Sequence, residues 1–298
     1  MLELDRILVI IEPGVDNQPA LEKAIQLANY ADSELELFIA DYSIFLEDGA
    51  YFDANQAQSM RQERSERRIE DLQALAQPLR DEGLRVLVAT TWGNPPHEEI
   101  LKRVQETNPS LVIKSTRHHP NPARRILSDE DWELVRYCPV PLLLAKGKKW
   151  RSNPAFIASV DPTHSHDKPG ALDNKLVSSA ASLSAISGGD VHLFHSSRAV
   201  PRFGVEPLAV EVSEEEIKLV ELARRHGICQ IRCHMSDRDI VCALPKMVDE
   251  LEASAVFMGV VSRSRPDRLL IGNTAEKVFY KLACDVLVIH PDPTPAPV

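Results

Sequence analysis

The sequence predicts an α/β protein made of two tandem doubly wound domains, each built on a five-stranded parallel sheet. The first observation is a long internal repeat. An apolar segment that ends in an acid and a proline occurs at 7–13 and again at 156–162, and a Cys-x-Val motif at 138–140 returns at 284–286. The spacing of about 145 to 150 residues indicates a duplicated domain and excludes a short-period solenoid. The second observation is that strand-like and helix-like segments alternate within each copy.

In the first half, short apolar runs have the length and composition of buried strands, at 7–12, 35–40, 84–90, 110–114 and 140–145. Segments with apolar residues at helical spacing lie between them, at 17–31, 54–81, 95–107 and 127–137. Pro95 occupies a favourable first-turn position. Pro78 lies inside the longest helical segment, so we expect that helix to kink or to end early.

The second half repeats this order. Its strands are predicted at 156–160, 190–195, 228–235, 255–258 and 286–290, and its helices at 172–186, 210–226, 240–251 and 274–282. Parallel strands need right-handed crossover connections, which place helices on both faces of the sheet. A short basic linker follows the last strand of the first half, so we expect domains at 1–147 and 148–298.

Composition narrows the classes of partner. A chain of 298 residues is long enough for two domains with proper cores. The net charge of −10 argues against broad binding to nucleic acid or anionic lipid. No apolar run reaches the roughly 18 residues of a membrane span. Five cysteines, an odd number, are typical of reduced thiols, so we expect a cytoplasmic protein.

A glycine-containing segment in the second half has the pattern of a phosphate-binding loop. A strand delivers Gly259, a loop follows, and Gly272-Asn273-Thr274 opens a helix. Open parallel sheets bind ligands beyond the carboxyl ends of their strands, and helix amino termini present unpaired amide donors to anions. Glycine allows the backbone to approach a phosphate closely, and Asn273 or Thr274 can cap the helix.

This arrangement resembles the universal stress protein family. Its nucleotide-binding members show Gly, two residues, Gly, nine residues, then Gly and Ser or Thr. The spacing is the same here, with Ser262 at the second glycine and Asn273 at the hydroxyl residue. The resemblance covers essentially the whole chain, and it implies that Asp161, at the end of a strand, contacts the base and ribose of ATP bound with Mg²⁺. Other interpretations stay open: Asp161 could merely cap the next turn, and the glycines could merely turn the chain.

The first half differs at the matching loop. By sequence alignment Lys114 and Arg117 stand where the family has its first two glycines, and Glu12 stands for Asp161. We expect the two basic side chains to fill the space that a phosphate needs. The first half should therefore bind no ATP, and any nucleotide should lie in the second half.

The resemblance implies a stress-response protein that acts by binding a ligand. It also implies that the two domains join through their last strands as an internal pseudo-dimer, and that two chains could pair further as a homodimer. An exposed apolar sheet edge supports such pairing. Three alternatives remain: a binder of a different small or apolar molecule, a protein-interaction scaffold, and a weak nucleotide hydrolase. We expect no enzyme, because no residue set supplies a catalytic base or metal ligands. Cys229 and Cys233 are interpreted as buried strand thiols.

Overall fold

A computed structural model describes residues 2–47, 51–116, 127–147, 149–163, 170–197, 213–260 and 273–291. The chain divides into two compact units, whose main segments are 3–117 with 127–149, and 150–298. They are called domain 1 and domain 2 below.

Domain 1 alternates strand and helix along its whole described length. Its elements are β1 (Arg6–Ile10), α1 (Pro19–Ala31), β2 (Glu34–Asp41), α2 (Ala54–Asp81), β3 (Arg85–Trp92), α3 (Pro96–Thr107), β4 (Leu111–Ser115), α4 (Asp129–Tyr137) and β5 (Leu142–Ala145). The strands are parallel, in the order β3-β2-β1-β4-β5. The strand order therefore reverses at β1, which has β2 on one side and β4 on the other.

Domain 2 repeats this topology. Its elements are β6 (Ala155–Ser159), α5 (Gly170–Ser187), β7 (Asp190–Ser196), α6 (Glu214–Arg225), β8 (Cys233–Ser236), α7 (Ile240–Glu250), β9 (Ala255–Gly259), α8 (Asn273–Lys281) and β10 (Asp285–Ile289). The order β10-β9-β6-β7-β8 is again parallel and reverses at β6. The predicted fold, two doubly wound five-stranded layers, is confirmed.

The core of each domain follows from the apolar character of its central strands. Ile7, Leu8 and Val9 of β1 are fully buried, as are Phe156 and Ile157 of β6. Such strands are apolar on both faces because helices cover a parallel sheet from both sides. Burial of these neighbouring residues on opposite faces is what fixes the strands at the centre of each layer.

Pro78 does not end α2 early, so one of the two effects expected from the sequence is absent. The helix continues to Asp81, three residues beyond the proline. Its end is closed by Gly83, which has a φ of +93°, and by a hydrogen bond from the Leu84 amide to the Leu79 carbonyl at 3.0 Å. A proline so near the end removes one hydrogen bond without displacing a long stretch of helix.

The predicted strand at 228–235 is wrong in its first half. The chain forms a 3-10 turn over Gln230–Arg232, and only Cys233–Ser236 pairs as a strand. Ile231, which suggested a buried strand residue, is 82% exposed. Cys229 is exposed and precedes the strand, and Cys233 lies in the strand but is only partly buried, so the interpretation of both as buried strand thiols is wrong. Residues 228–232 contain few apolar side chains to hold a strand in the sheet, and a local turn sets their conformation instead.

Asp41 joins the end of β2 to α2. Its nearly buried carboxylate accepts hydrogen bonds from Nε of Arg64 at 2.7 Å and from Nε of Arg68 at 2.8 Å. Burial acts to raise the pKa of Asp41, but the hydrogen bonds and charges of the two arginines outweigh it, and the pKa lies below its ordinary value of 3.8. The ion pair therefore stabilises domain 1 at neutral pH.

Asp41→Asn should lower the free energy of unfolding by about 1.5 to 3 kcal/mol at neutral pH, because two guanidinium groups lose a charged acceptor. The folded-state pKa is lowered, so the difference between wild type and variant should be complete above the unfolded pKa near 3.8 and shrink as the pH falls through the folded pKa. Urea unfolding followed by circular dichroism measures it. Asp71→Asn, which removes an exposed partner of Arg68, is the control and should cost about 0.5 kcal/mol or less. Equal losses in the two variants would contradict this assignment.

Candidate functional site

The carboxyl edge of domain 2, defined here by the ends of β6 and β9, carries two of the predicted site residues, Asp161 and Gly259. Ser159 of β6 lies opposite Met258 of β9, so the residues that follow these strands emerge side by side. Asn273 is the first residue of α8 and the exposed Thr274 is the second. Ser262 and Gly272 lie outside the described residues. This edge is the switch point at which open parallel sheets bind ligands.

Asp161 is 4% exposed and tied to the start of α5. Its amide donates a hydrogen bond to Oδ2 of Asp173 at 3.0 Å, and its Oδ1 accepts one from the Thr163 hydroxyl at 3.3 Å. The Thr163 contact matches the alternative interpretation of Asp161 as a cap of the next turn. No motif marks Asp173 in the sequence, because an acid in the first turn of a helix is ordinary.

His195 lies at the end of β7, next to this edge, and is buried. Its Nδ1 is 3.0 Å from the carbonyl oxygen of Val160. A carbonyl oxygen only accepts, so Nδ1 carries a proton and donates it to the carbonyl of Val160. Sequence reasoning missed this residue, because a single histidine in an apolar strand carries no motif.

Gly259 packs closely against α5, so a side chain at this position would force Leu172 to move. A Cβ built on Gly259 would lie 2.6 Å from Cδ2 of Leu172, a fully buried side chain in the first turn of α5. The side chain of Leu172 therefore takes the volume that any larger residue at 259 would need. Glycine at this position does not by itself indicate a ligand.

The structural register corrects the alignment of the two loops by one residue. The Thr116 amide bonds the carbonyl of Ala145, and the Val260 amide bonds that of Ile289 in the same way. Ser115 is therefore the counterpart of Gly259, and Lys114 that of Met258. The expectation that Lys114 replaces the first glycine is wrong, because the two loops cannot be aligned by motif once the glycines are absent. The hydroxyl of Ser115 accepts a hydrogen bond from the Ala20 amide at 3.0 Å, at the start of α1.

Lys114 nevertheless fills the carboxyl edge of domain 1. Its amine is buried 2.7 Å from Oδ1 of Asp131 and 3.4 Å from Oε1 of Glu130, both in the first turn of α4, and 3.9 Å from Glu12. Burial acts to lower the pKa of Lys114, but the charges of Asp131, Glu130 and Glu12 outweigh it and the pKa is raised. Arg117, the other basic residue expected here, lies outside the described residues.

The two helix starts at these edges differ in charge. The register equates Asp129, Glu130 and Asp131 of α4 with Asn273, Thr274 and Ala275 of α8. α4 also caps itself: the Ser128 hydroxyl accepts from the Asp131 amide at 3.1 Å, and Asp131 accepts from the Ser128 amide at 2.8 Å. The first three residues of α8 carry no charge, and its first turn contains a single acid, Glu276.

A shared device fixes the acid at each edge. In domain 1 the Glu12 amide donates a hydrogen bond to Oε1 of Gln18 at 3.2 Å. In domain 2 the Asp161 amide donates the equivalent hydrogen bond to Asp173. In both domains a buried side chain at the start of the next helix thus holds the backbone of the strand-end acid. Domain 1 uses a neutral amide for this purpose and domain 2 uses a carboxylate.

Within the described part of the chain, no group of three or more His, Cys, Asp or Glu side chains could hold a metal ion. Nor does any described helix combine the length and apolar character needed to cross a membrane.

Comparison with known proteins supports a common origin for both domains. The family model described as "Universal stress protein family" matches residues 3–146 and 167–290. Universal stress protein E of Escherichia coli (strain K12) is 27% identical over 314 residues, which cover 100% of this chain and 98% of that protein. Universal stress protein E of Photorhabdus laumondii is 25% identical over 315 residues, with coverages of 100% and 98%.

Solved structures agree with this relationship. A Pseudomonas aeruginosa UCBPP-PA14 protein assigned to the universal stress proteins has a TM-score of 0.74 and 26% identity, over 97% of this chain and 94% of that one. A universal stress protein from Archaeoglobus fulgidus DSM 4304 has a TM-score of 0.71, over 96% and 98%, and at 17% identity it supports the fold alone. With both halves matched by one family model, the chain belongs to the universal stress protein family as a tandem pair of its domains.

Proposed function

We propose that this chain is a stress-response protein that acts by binding a small ligand, that domain 2 binds ATP with Mg²⁺, and that domain 1 binds no nucleotide. The observation that carries the proposal is the contrast between the two helix starts. α4 begins with three acids and is capped by its own side chains, whereas α8 begins with three uncharged residues. An anion is attracted to a helix amino terminus only where acids do not already occupy it.

The residues of domain 2 suit the separate parts of a nucleotide. The carboxylate of Asp161 can accept hydrogen bonds from ribose hydroxyls, since an ionised carboxylate has only acceptor sites, about four in all. Phosphates need donors, which the start of α8 and the preceding loop would supply. Mg²⁺ usually keeps several waters and binds through phosphates, so it needs no dedicated protein cage.

The residues of domain 1 oppose phosphate binding. Lys114 is the single cation among three carboxylates, those of Glu12, Glu130 and Asp131. The cluster is therefore negative overall, and a phosphate there would meet like charges at short range. Domain 1 serves, in this proposal, as a folded partner without a nucleotide of its own.

One observation favours a second candidate, a small apolar ligand in place of nucleotide. The side chain of Leu172 lies against Gly259, so the end of β9 is lined by an apolar group and the glycine is explained without phosphate. In neither candidate does the protein turn over its ligand, because no described residue set forms a catalytic base with a nucleophile or metal. Titration with ATP distinguishes the two.

Full-length protein titrated calorimetrically with ATP and Mg²⁺ should show one site per chain. Asp161→Ala should weaken binding about tenfold or more, because a hydrogen bond to a charged acceptor contributes about 1.5 to 3 kcal/mol. Glu12→Ala, at the counterpart position of domain 1, is the matched control and should leave the affinity unchanged. Two sites per chain, equal effects of the two substitutions, or no heat with wild type would each refute the assignment.

Lys114→Met should destabilise domain 1 by about 3 kcal/mol without creating a nucleotide site, because it leaves three carboxylates, one of them buried, without their cation. Urea unfolding measures the loss, and the ATP titration should still give one site per chain. Lys102→Met, which removes a lysine paired with Glu99 on the surface, is the control and should cost about 0.5 kcal/mol or less. A second ATP site in Lys114→Met would show that the lysine alone blocks domain 1.

A further inference from the structure

β8 is a weakly attached edge strand of domain 2. It has four residues, Cys233–Ser236, and none of them is buried. Its ladder with β7 runs from the pair Leu193–Cys233 to the pair Ser196–Ser236, and no described residue pairs with its other side in the order β10-β9-β6-β7-β8. With little apolar burial, the attachment of β8 depends on this short ladder and on side-chain contacts across the two strands.

The principal such contact is between two histidines. His234 lies opposite Phe194, and His192 is two residues before Phe194, so both imidazoles are on the same face of the sheet. Nδ1 of His192 is 3.0 Å from Nε2 of His234. The ring centroids are 5.2 Å apart, with planes tilted by 35°. Both rings are half-buried.

This contact requires at least one neutral ring. Two facing imidazole nitrogens form a hydrogen bond only when one carries a proton and the other presents a lone pair. When both rings are protonated, two N–H groups and two positive charges face each other at the same distance. The contact is then repulsive, and the two rings titrate as a coupled pair.

Charged neighbours act on the pair from several elements. Asp190 on β7 and Arg232 in the 3-10 turn form an ion pair at 2.7 Å beside His192. Glu250 of α7, itself paired with Lys246 at 3.2 Å, attracts positive charge on His234. The adjacent thiol of Cys233 is neutral at physiological pH, because burial raises its pKa.

Burial lowers the pKa of His192, and the charges of His234 and Arg232 lower it further against the attraction of Asp190. Burial likewise lowers the pKa of His234, against the attraction of Glu250. The pKa values of both histidines in the folded state lie below the ordinary 6.5. As the pH falls, the histidines of the unfolded chain or the opened strand therefore take up protons at a higher pH than those of the folded domain. The stabilisation is therefore complete above about pH 6.5 and is lost as the pH falls toward the folded values.

We propose that the contact between His192 and His234 is a pH-sensitive device that holds β8 against β7 at neutral pH and releases it under mild acidification. The released strand would expose the backbone edge of β7, an acceptor for another strand. The inference is independent of nucleotide binding, because it involves neither Asp161 nor α8.

A local measurement is needed, because other groups in domain 2 also respond to acid. His226, which contacts Asn174 at 3.3 Å, has a pKa lowered by burial and by Arg225. The stability of the whole domain therefore falls with acid for more than one reason. Hydrogen exchange resolved to peptides that span 229–239 reports on β8 alone.

Hydrogen–deuterium exchange of the full chain should be compared at about pH 7.5 and about pH 5.5, corrected for intrinsic exchange, with EDTA present to exclude metal bridging. In wild type we expect the protection of 229–239 to fall about tenfold at the lower pH, while peptides of β6 and β9 keep theirs. In His234→Gln the protection should be independent of pH over this range, whatever its level. His226→Gln is the matched control and should behave as wild type.

Should His234→Gln fail to fold, His192→Asn removes the same contact and should give the same pH independence. NMR titration of the labelled histidines supplies a second measurement, in which the two rings should titrate in coupled steps in wild type. The proposal is overturned if wild-type protection of 229–239 changes less than about twofold, or if the substituted protein keeps the pH dependence of wild type.

Discussion

The reversal of strand order at β1 and at β6 is the constraint on which both candidate sites depend. Parallel strands force helical crossovers, and crossovers that leave a central strand in opposite directions open a crevice at its carboxyl end. The acids Glu12 and Asp161 lie two residues beyond the ends of these two central strands. Each domain therefore has the same location for a ligand, and the side chains at that location decide whether one can enter.

Those side chains differ between the two domains. Domain 1 has three acids at the start of α4, a lysine that neutralises part of their charge, and a cap that satisfies helix amides internally. Each of these features is a contact within the chain at a place where an anion would otherwise bind. Domain 2 has a single acid, Glu276, in the first turn of α8 and holds the backbone of Asp161 through Asp173. The carboxyl edge of domain 1 is therefore the more acidic of the two.

The two sheets could be predicted from the sequence because strands buried on both faces are continuous apolar runs. Such runs can be recognised without knowing which strands pair. Prediction from the sequence failed where local turns or long-range register decide the outcome. The 3-10 turn before β8 and the continuation of α2 through Pro78 are set by nearby backbone hydrogen bonds. The one-residue error at Lys114 arose because register is a property of paired strands. The contacts of Asp161 with Asp173 and of His192 with His234 join residues that no motif links.

The packing of Leu172 against Gly259 bears on how relatives of this protein should be interpreted. A strand-end glycine that accommodates a neighbouring leucine has a role in packing whether or not a ligand is present. The presence of this glycine alone therefore does not identify a nucleotide binder. Under the proposed function, the charge of the residues that open the following helix is the more discriminating criterion, because acids at a helix start repel a triphosphate.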